Sequence, residues 1–254
     1  MPETPAPHHN HLLAAFPADA QDRLFPHLER VTLPLGKVLY ESDDTALYVY
    51  FPTDSILSLV TQSGAAAEVS VVGNEGLVGL SLVIGGETSQ SRAIVQGAGS
   101  AYRLKGALLK DEFERNFKMM VLLLHYTRYL LVQVAQPTAC NRRHSIDQQL
   151  CHWLLLSMDR EPGNELTMTQ QFIANVLGVH RRDVTDATRK LKENGVIEFR
   201  RGQITVLDRP SLEQLSCACY AMIKNERETA RQRVVPYLQP DSVQTRLSAR
   251  SAWS

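Results

Sequence analysis

The sequence predicts an α+β chain with an N-terminal antiparallel β-roll, one long dimerisation helix and a C-terminal winged helix-turn-helix. Three features of the chain point there. From Val31 to about Leu104, short β-rich runs ("ALYVYF", "SILSLVT", "AEVSVV", "SRAIVQ", "SAYRL") alternate with Gly, Asp, Ser and Pro, the texture of a small antiparallel barrel or roll. From Met119 to Ala135 the chain is apolar nearly all round, "MMVLLLHYTRYLLVQVA". From Thr169 to Asp208, turn residues and apolar spacing spell out helix, turn, helix and two alternating strands.

The 254 residues, 44% hydrophobic, suffice for two domains with their own cores. Formal charge is zero but unevenly spread: ten acids and six bases from Glu41 to Lys118, eight bases and five acids from Arg181 to Arg209. A local basic surface of that kind can hold phosphates on a neutral molecule. The first residues, "MPETPAPHHNH", carry no apolar segment of a secretory signal. The apolar run is short for a membrane span and carries Arg128 in its middle. Cys140, Cys151, Cys217 and Cys219 form no CxxC pair, so a reduced, cytoplasmic protein with small buried thiols is expected, with Cys217 and Cys219 inert rather than redox-active.

In chain order, residues 1–12 are expected to form a disordered tail, where His8, His9 and His11 would bind a metal only weakly. Residues 13–110 form the roll, entered through one or two short helices in "AAFPADAQDRLFPHLE". Residues 111–140 form the long helix. A helix apolar on most sides must be buried on most sides, which pairing with its own copy achieves. Two coiled-coil stripes are open: Val121, Leu124, Leu131 and Ala135 interrupted by Arg128, or Phe117, Met120, Leu124, Leu131 and Val134 interrupted by Thr127. Val121, Leu124, Arg128 and Leu131 are the candidate dimer interface. "CNRRHSIDQ" then reads as a hinge, and Ser145 followed by Gln148 is a capping-box spacing that starts the next helix. Residues 141–222 form the winged helix, and 223–254 a C-terminal extension.

With Thr169 as cap and Gln170 as the first helical residue, Ala174 is fifth, Gly178 ninth and Val184 fifteenth. A helix-turn-helix needs a small fifth residue where the second helix crosses, a ninth that tolerates positive φ, and an apolar fifteenth as a plug. On the second helix Val184, Ala187, Thr188 and Leu191 share one face, while Arg181, Arg182, Thr185, Asp186 and Arg189 point elsewhere. Gly195 stops that helix, and "VIEFRRGQITVLD" follows as a basic wing turning at Arg201 and Gly202. Positive charge at a helix N-terminus opposes the macrodipole. Arg181 and Arg182 accept that cost at the head of a recognition helix, where base edges and phosphates of double-stranded DNA would be met.

"LTMTQQFIANVLGVHRRDVTDATRKLKENGVIEFRRGQITVLD", with weaker support from "YVYFPTDSILSLV", "GNEGLVGLSLVIG" and "SRAIVQ", resembles the cyclic-AMP receptor protein / fumarate-nitrate regulator (Crp/Fnr) family of transcription regulators, from about Leu24 to Leu207. The resemblance implies a roll of cyclic-nucleotide-binding type serving as sensor. It places Arg181, Arg182 and Asp186 where the family reads base edges, and Thr169, Gln170 and His180 near phosphates. The receptor protein has a glutamate where Arg182 stands and an arginine where Asp186 stands. Arginine favours guanine and a carboxylate the cytosine amino group, so a different operator is expected. Around the effector site, Gly79 is followed by Leu80 instead of the family's glutamate, and Ser91-Arg92 inverts its phosphate-binding order. Leucine accepts no hydrogen bond from a ribose hydroxyl, so cyclic AMP is not the expected effector. With no cysteine before Cys140, neither the family's N-terminal iron–sulfur cluster nor a haem is expected. By family analogy the "SMDREPGNE" loop would meet RNA polymerase.

Other classes fit less well. A cupin-type metalloenzyme needs barrel histidines, yet none lies between His27 and His125. No Gly-rich phosphate loop or nucleophile elbow is present, so no enzyme is expected. A ligand-binding or protein-interaction module whose winged helix contacts protein is the alternative.

Overall fold

The computed structural model describes residues 6–61, 67–86, 88–89, 91–160, 163–200 and 202–234. The chain begins with α1 (His11–Ala14) and α2 (Ala18–Leu24), then β1 (Glu29–Leu33), β2 (Val38–Tyr40), β3 (Tyr48–Pro52), β4 (Ile56–Thr61), β5 (Ala67–Val72), β6 (Arg92–Gly97) and β7 (Gly99–Lys105). Helices α3 (Gly106–Arg115), α4 (Phe117–Arg143) and α5 (Ile146–Met158) lead to β8 (Glu165–Thr167), α6 (Gln170–Leu177), α7 (Arg181–Glu193), β9 (Ile197–Arg200) and β10 (Gln203–Val206). The last described elements are α8 (Arg209–Leu215) and α9 (Ala218–Val234).

Seven strands form the roll as two antiparallel sheets, β1-β7-β3 and β2-β6-β4-β5. Alternation puts Leu33, Leu57, Val72, Ala93, Val95 and Ala101 inside, one side chain in two as period-2 strands require. A second core joins the roll to the helices around it: Val49, Phe51 and Leu77 meet Leu12, Leu13 and Phe16 from the N-terminal segment and Met119, Leu123 and Tyr126 from α4.

Residues 6–12 are therefore not the disordered tail that their polarity suggests. Asn10 is fully buried; its carboxamide donates to the carbonyls of Pro52 and Gly76 at 2.8 Å and accepts from Leu13 N, capping α1. His8 packs its ring against Phe25. One polar side chain with three satisfied bonds anchors a segment whose composition alone reads as solvated.

The long helix begins later than position 111. Asn116 breaks the chain into α3 and α4, accepting from Lys118 N and Met119 N as cap. Buried Met119, Leu122, Leu123, Tyr126 and Tyr129 face the roll at i, i+3, i+4 spacing. Phe117, Leu124, Leu131 and Val134 remain exposed (68, 50, 64 and 45%), as does Ala135, so members of both candidate stripes lie open, with Arg128 beside them in an ion pair to Glu226 of α9. Helix α9 lies back along α4 and places Ile223 in the roll–α4 core. The capping box of α5 is present, Ser145 and Gln148 bonding reciprocally.

A buried ion pair joins the roll to the C-terminal domain. Arg160, just after α5, donates from Nε to Glu75 at 2.8 Å, and its guanidinium also reaches Tyr129 Oη (3.0 Å) and the Leu156 carbonyl (2.6 Å). Its side chain is fully buried and that of Glu75 is 5% exposed. Burial alone would lower the Arg160 pKa, but the Glu75 carboxylate raises it above the ordinary arginine value. Gly76, beside Glu75, has no room for a side chain: a Cβ would run into the Tyr126 ring. The start of the "SMDREPGNE" loop is thus interior, with Ser157, Met158 and Arg160 buried, while among its described residues Gly163, Asn164 and Glu165 face outward.

Replacing Arg160 with Met leaves the Glu75 carboxylate buried and unpaired. Urea unfolding is expected to show a loss of about 3–5 kcal/mol, largely recovered in the Arg160→Met/Glu75→Gln double variant.

Glu112 is fully buried between Arg23 (2.6 Å) and Arg115, with Asn116 donating at 3.0 Å. The Arg23 hydrogen bonds lead in lowering its pKa from 4.5 to about 2. A carboxylate depressed in the folded state contributes its full stability above the unfolded pKa and loses it as pH falls through the folded one. The melting temperature should therefore fall between about pH 4.5 and pH 2, and Glu112→Gln should flatten the profile in that window.

Candidate nucleic-acid interface

The C-terminal domain has its own core, in which Leu150, Leu154 and Leu155 of α5 meet Ile173 and Ala174 of α6, Val184, Ala187 and Leu191 of α7, and Ile197, Ile204 and Val206 of the wing. Thr169 accepts from Phe172 N and starts α6. Gly178 ends it in the left-handed conformation (φ 67°), so the chain reverses at the position where the spacing predicts a turn. Ala174 is 1% and Val184 0% exposed, at the crossing of the two helices. Gly195, also left-handed, follows the end of α7. The wing is a three-stranded antiparallel sheet, β8-β10-β9, rather than a hairpin of two. Strand β8, in "ELT", is too short to show alternation in sequence.

Each outward residue of the recognition helix is on the surface. Arg181, Arg182, Thr185 and Arg189 are exposed and Asp186 is half-buried. His180 stands at the N-cap of α7 without a side-chain capping bond, leaving first-turn N–H groups directed out of the helix end. Thr185 Oγ1 lies 2.9 Å from Gln170 Oε1, which fixes the start of α6 against the first turn of α7. Thr169, Gln170, Arg181, Phe199 and Gly202 line one surface cleft of about 390 Å³, bounded by α6, α7 and the wing. The structure therefore brings Thr169, Gln170 and Arg181 together at one edge. Arg201 lies outside the described residues.

The basic surface is narrower than the residue count suggests. Arg189 is held between Asp186 (3.5 Å) and Glu193 (3.3 Å), Lys190 by Asp147 (2.7 Å), Arg200 by Glu198 (2.7 Å) and Arg209 by Asp159. Among the described residues, Arg181, Arg182 and Lys192 have no ion-pair partner. Two uncommitted guanidinium groups thus stand side by side at the N-terminal end of α7. Surface pairs such as those of Arg189 and Arg200 contribute little, so those cations can exchange to an incoming phosphate at small cost.

The candidate effector residues differ in what they present to a ligand. Gly79 takes φ +99°, and a Cβ there would press on the Tyr48 carbonyl at 3.2 Å. Leu80 turns into the roll–α4 core. Arg92 pairs with Glu41 at 3.1 Å, and Ser91 accepts through its carbonyl from Ser89 Oγ at 2.8 Å. Among the described residues no helix is long and apolar enough to cross a membrane.

Sequence reasoning missed the buried Arg160–Glu75 pair, the Asn10 anchor and the packing of α9 on α4. A charged residue in a loop carries no local signal of burial, because its partner is 85 positions away.

Residues 148–215 match the Crp-like helix-turn-helix domain. No curated protein matches the sequence. Solved structures with the same fold include FixK2 from Bradyrhizobium japonicum (19% identity, TM-score 0.64, covering 75% of this chain and 98% of that one). A CRP/FNR-family transcriptional regulator from Thermus thermophilus (20%, 0.57, covering 74% and 98%) and a CRP-family regulator from the same organism (15%, 0.61, covering 74% and 96%) share it. Residues 148–215 are a Crp-like helix-turn-helix domain, and the chain carries the fold of the Crp/Fnr transcription regulators.

Proposed function

We propose that this protein is a cytoplasmic, homodimeric transcription regulator, without catalytic activity, that reads an inverted-repeat operator in double-stranded DNA. The observation that carries the proposal is the pair of unpartnered, exposed arginines, Arg181 and Arg182, at the head of a helix whose opposite face is locked into the core by Val184, Ala187 and Leu191. Arg181, Arg182 and Asp186 would contact base edges. Thr169, Gln170, His180, Thr185, Arg189 and Arg201 would contact the backbone or the wing-side phosphates. Phosphate contacts would supply most of the affinity and its salt dependence.

Homodimerisation is supported by the exposed stripe Phe117, Leu124, Leu131 and Val134 along α4, with Val121 and Arg128 at its margin. A stripe of that kind at heptad spacing is what a second copy would cover. Half-sites would then lie about one helical turn apart. The exposed residues Gly163, Asn164 and Glu165 would be available to RNA polymerase. The roll would work without cyclic AMP, because the buried Leu80 stands where a carboxylate would accept from the ribose hydroxyl. Gly79, Leu80, Ser91 and Arg92 therefore mark where the effector site lies in the family rather than a working nucleotide pocket in this chain.

Selection of bound fragments from genomic DNA by the purified protein should return a palindromic motif, and Arg181→Ala should weaken binding to it by about 1–3 kcal/mol while relaxing the preference at one position. Binding that is indifferent to both salt and Arg181→Ala would sink the reading in favour of a protein-contacting winged helix.

Leu131→Glu should give a monomer in sedimentation velocity at concentrations where the parent protein is a dimer. A parent protein that is itself monomeric, or a variant that stays dimeric, counts against the α4 stripe.

A further inference from the structure

Cys140 is far in sequence from Cys217 and Cys219, yet the three side chains form a separate buried cluster, 4, 5 and 4% exposed, apart from the three cores described above. His144 joins them: one ligand atom from each of Cys140, His144, Cys217 and Cys219 lies within 4.8 Å of every other. The spacing explains how. Cys140 and His144 are four residues apart at the end of α4 and so share a face, while Cys217 and Cys219 straddle the start of α9. Cys140 Sγ is 3.5 Å from Cys217 Sγ, and Cys219 Sγ is 3.6 Å from His144 Nδ1.

Those distances match a tetrahedral site. Ligand bonds of about 2.3 Å to sulfur and 2.0 Å to nitrogen place neighbouring ligand atoms about 3.5–3.8 Å apart around one ion. A cluster of several irons would hold its outer ligands wider than the atoms found here. Two nitrogen groups also stand beside the sulfurs. Gln136 Nε2 donates to Cys219 Sγ at 3.0 Å, and His152 Nδ1 lies 3.4 Å from Cys217 Sγ, each able to point an N–H at a sulfur that has lost its proton. We propose that Cys140, His144, Cys217 and Cys219 bind a single zinc(II) ion, which ties the end of the long helix and its hinge to the start of α9.

Binding releases the protons of three thiols to solvent and leaves three thiolates and a neutral imidazole on the dication, with no change of oxidation state. All four tetrahedral positions are then filled by the protein, the closed pattern of a structural site rather than a hydrolytic one. Cys151 is fully buried in the winged-helix core, outside the four-residue cluster, and it serves as the control.

The full-length protein, purified under reducing conditions and incubated with zinc before desalting, is analysed for metal by mass spectrometry. Cobalt(II) is used in parallel as the spectroscopic probe. One zinc per chain, and a cobalt spectrum with tetrahedral bands and thiolate charge transfer, are expected for the parent and for Cys151→Ser. Both should be lost in Cys140→Ser and Cys219→Ser, with circular dichroism reporting whether those variants keep their helices. Gln136→Leu, which removes only a supporting bond, should keep the stoichiometry and lower zinc affinity about 10–100-fold. Should the cysteine variants not fold, His144→Ala and Gln136→Leu carry the test. Reduced parent protein that folds but takes up neither metal overturns the proposal. So does metal retained in full by Cys140→Ser and His144→Ala but lost on removing His8 and His9. Bound iron with inorganic sulfide, or a Cys140–Cys217 disulfide whose reduction restores no metal uptake, equally overturns it.

Discussion

One buried charge pair ties the winged helix to the roll. Arg160 comes from the end of α5, Glu75 from the loop after β5, and Tyr129 from α4, so three separate parts of the chain meet at one guanidinium. Taking these charges out of water costs several kcal/mol per ion, which only a well-bonded geometry offsets. Here the guanidinium is bonded to a carboxylate, a phenol and a backbone carbonyl, and the neighbouring Gly76 lets the Tyr126 ring close over the loop. Such a pair tolerates little drift. It adds modestly to stability and a good deal to uniqueness, since any other docking angle leaves a charge stranded in the interior.

The winged helix itself obeys a different economy. Its interior face is largely apolar, with Thr188 bonded back to the Val184 carbonyl, and most cations of its described exterior are ion-paired, Arg181 and Arg182 at the head of α7 being exceptions. The contrast separates two roles by chemistry. Paired cations keep the surface soluble and nearly neutral, whereas the unpaired arginines retain their donors for a partner that supplies acceptors in fixed positions. The macrodipole and the arginines repel each other in the free protein, and an anion placed between them would relieve both.

How much of this was legible in the sequence depended on the range of the interaction responsible. Turns and caps are local: the Ser145 capping box, the Thr169 cap and the left-handed Gly178 all stand where residue type and spacing put them. So is the amphipathic face of α7, since Val184, Ala187, Thr188 and Leu191 follow the helical period. Long-range pairings left no such trace. Asn10 is buried because of Pro52 and Gly76, Glu112 because of Arg23, and Cys140 because of Cys217. Each of these residues reads as ordinary surface or ordinary core until its distant partner is known. Strand β8 was missed for the related reason that three residues are too few to show a period.

The Asn10 anchor has a practical side. Its carboxamide holds the carbonyl of Gly76, the residue next to Glu75. The polar, proline-containing N-terminus looks expendable, and anyone shortening the protein for crystallisation, or fusing a bulky partner close to its start, would trim there first. Cutting at Leu12 would remove the peg beneath the very loop that carries the carboxylate for Arg160. A change made at one extremity would thus be felt as slack between the two halves of the molecule, far from any residue expected to touch DNA.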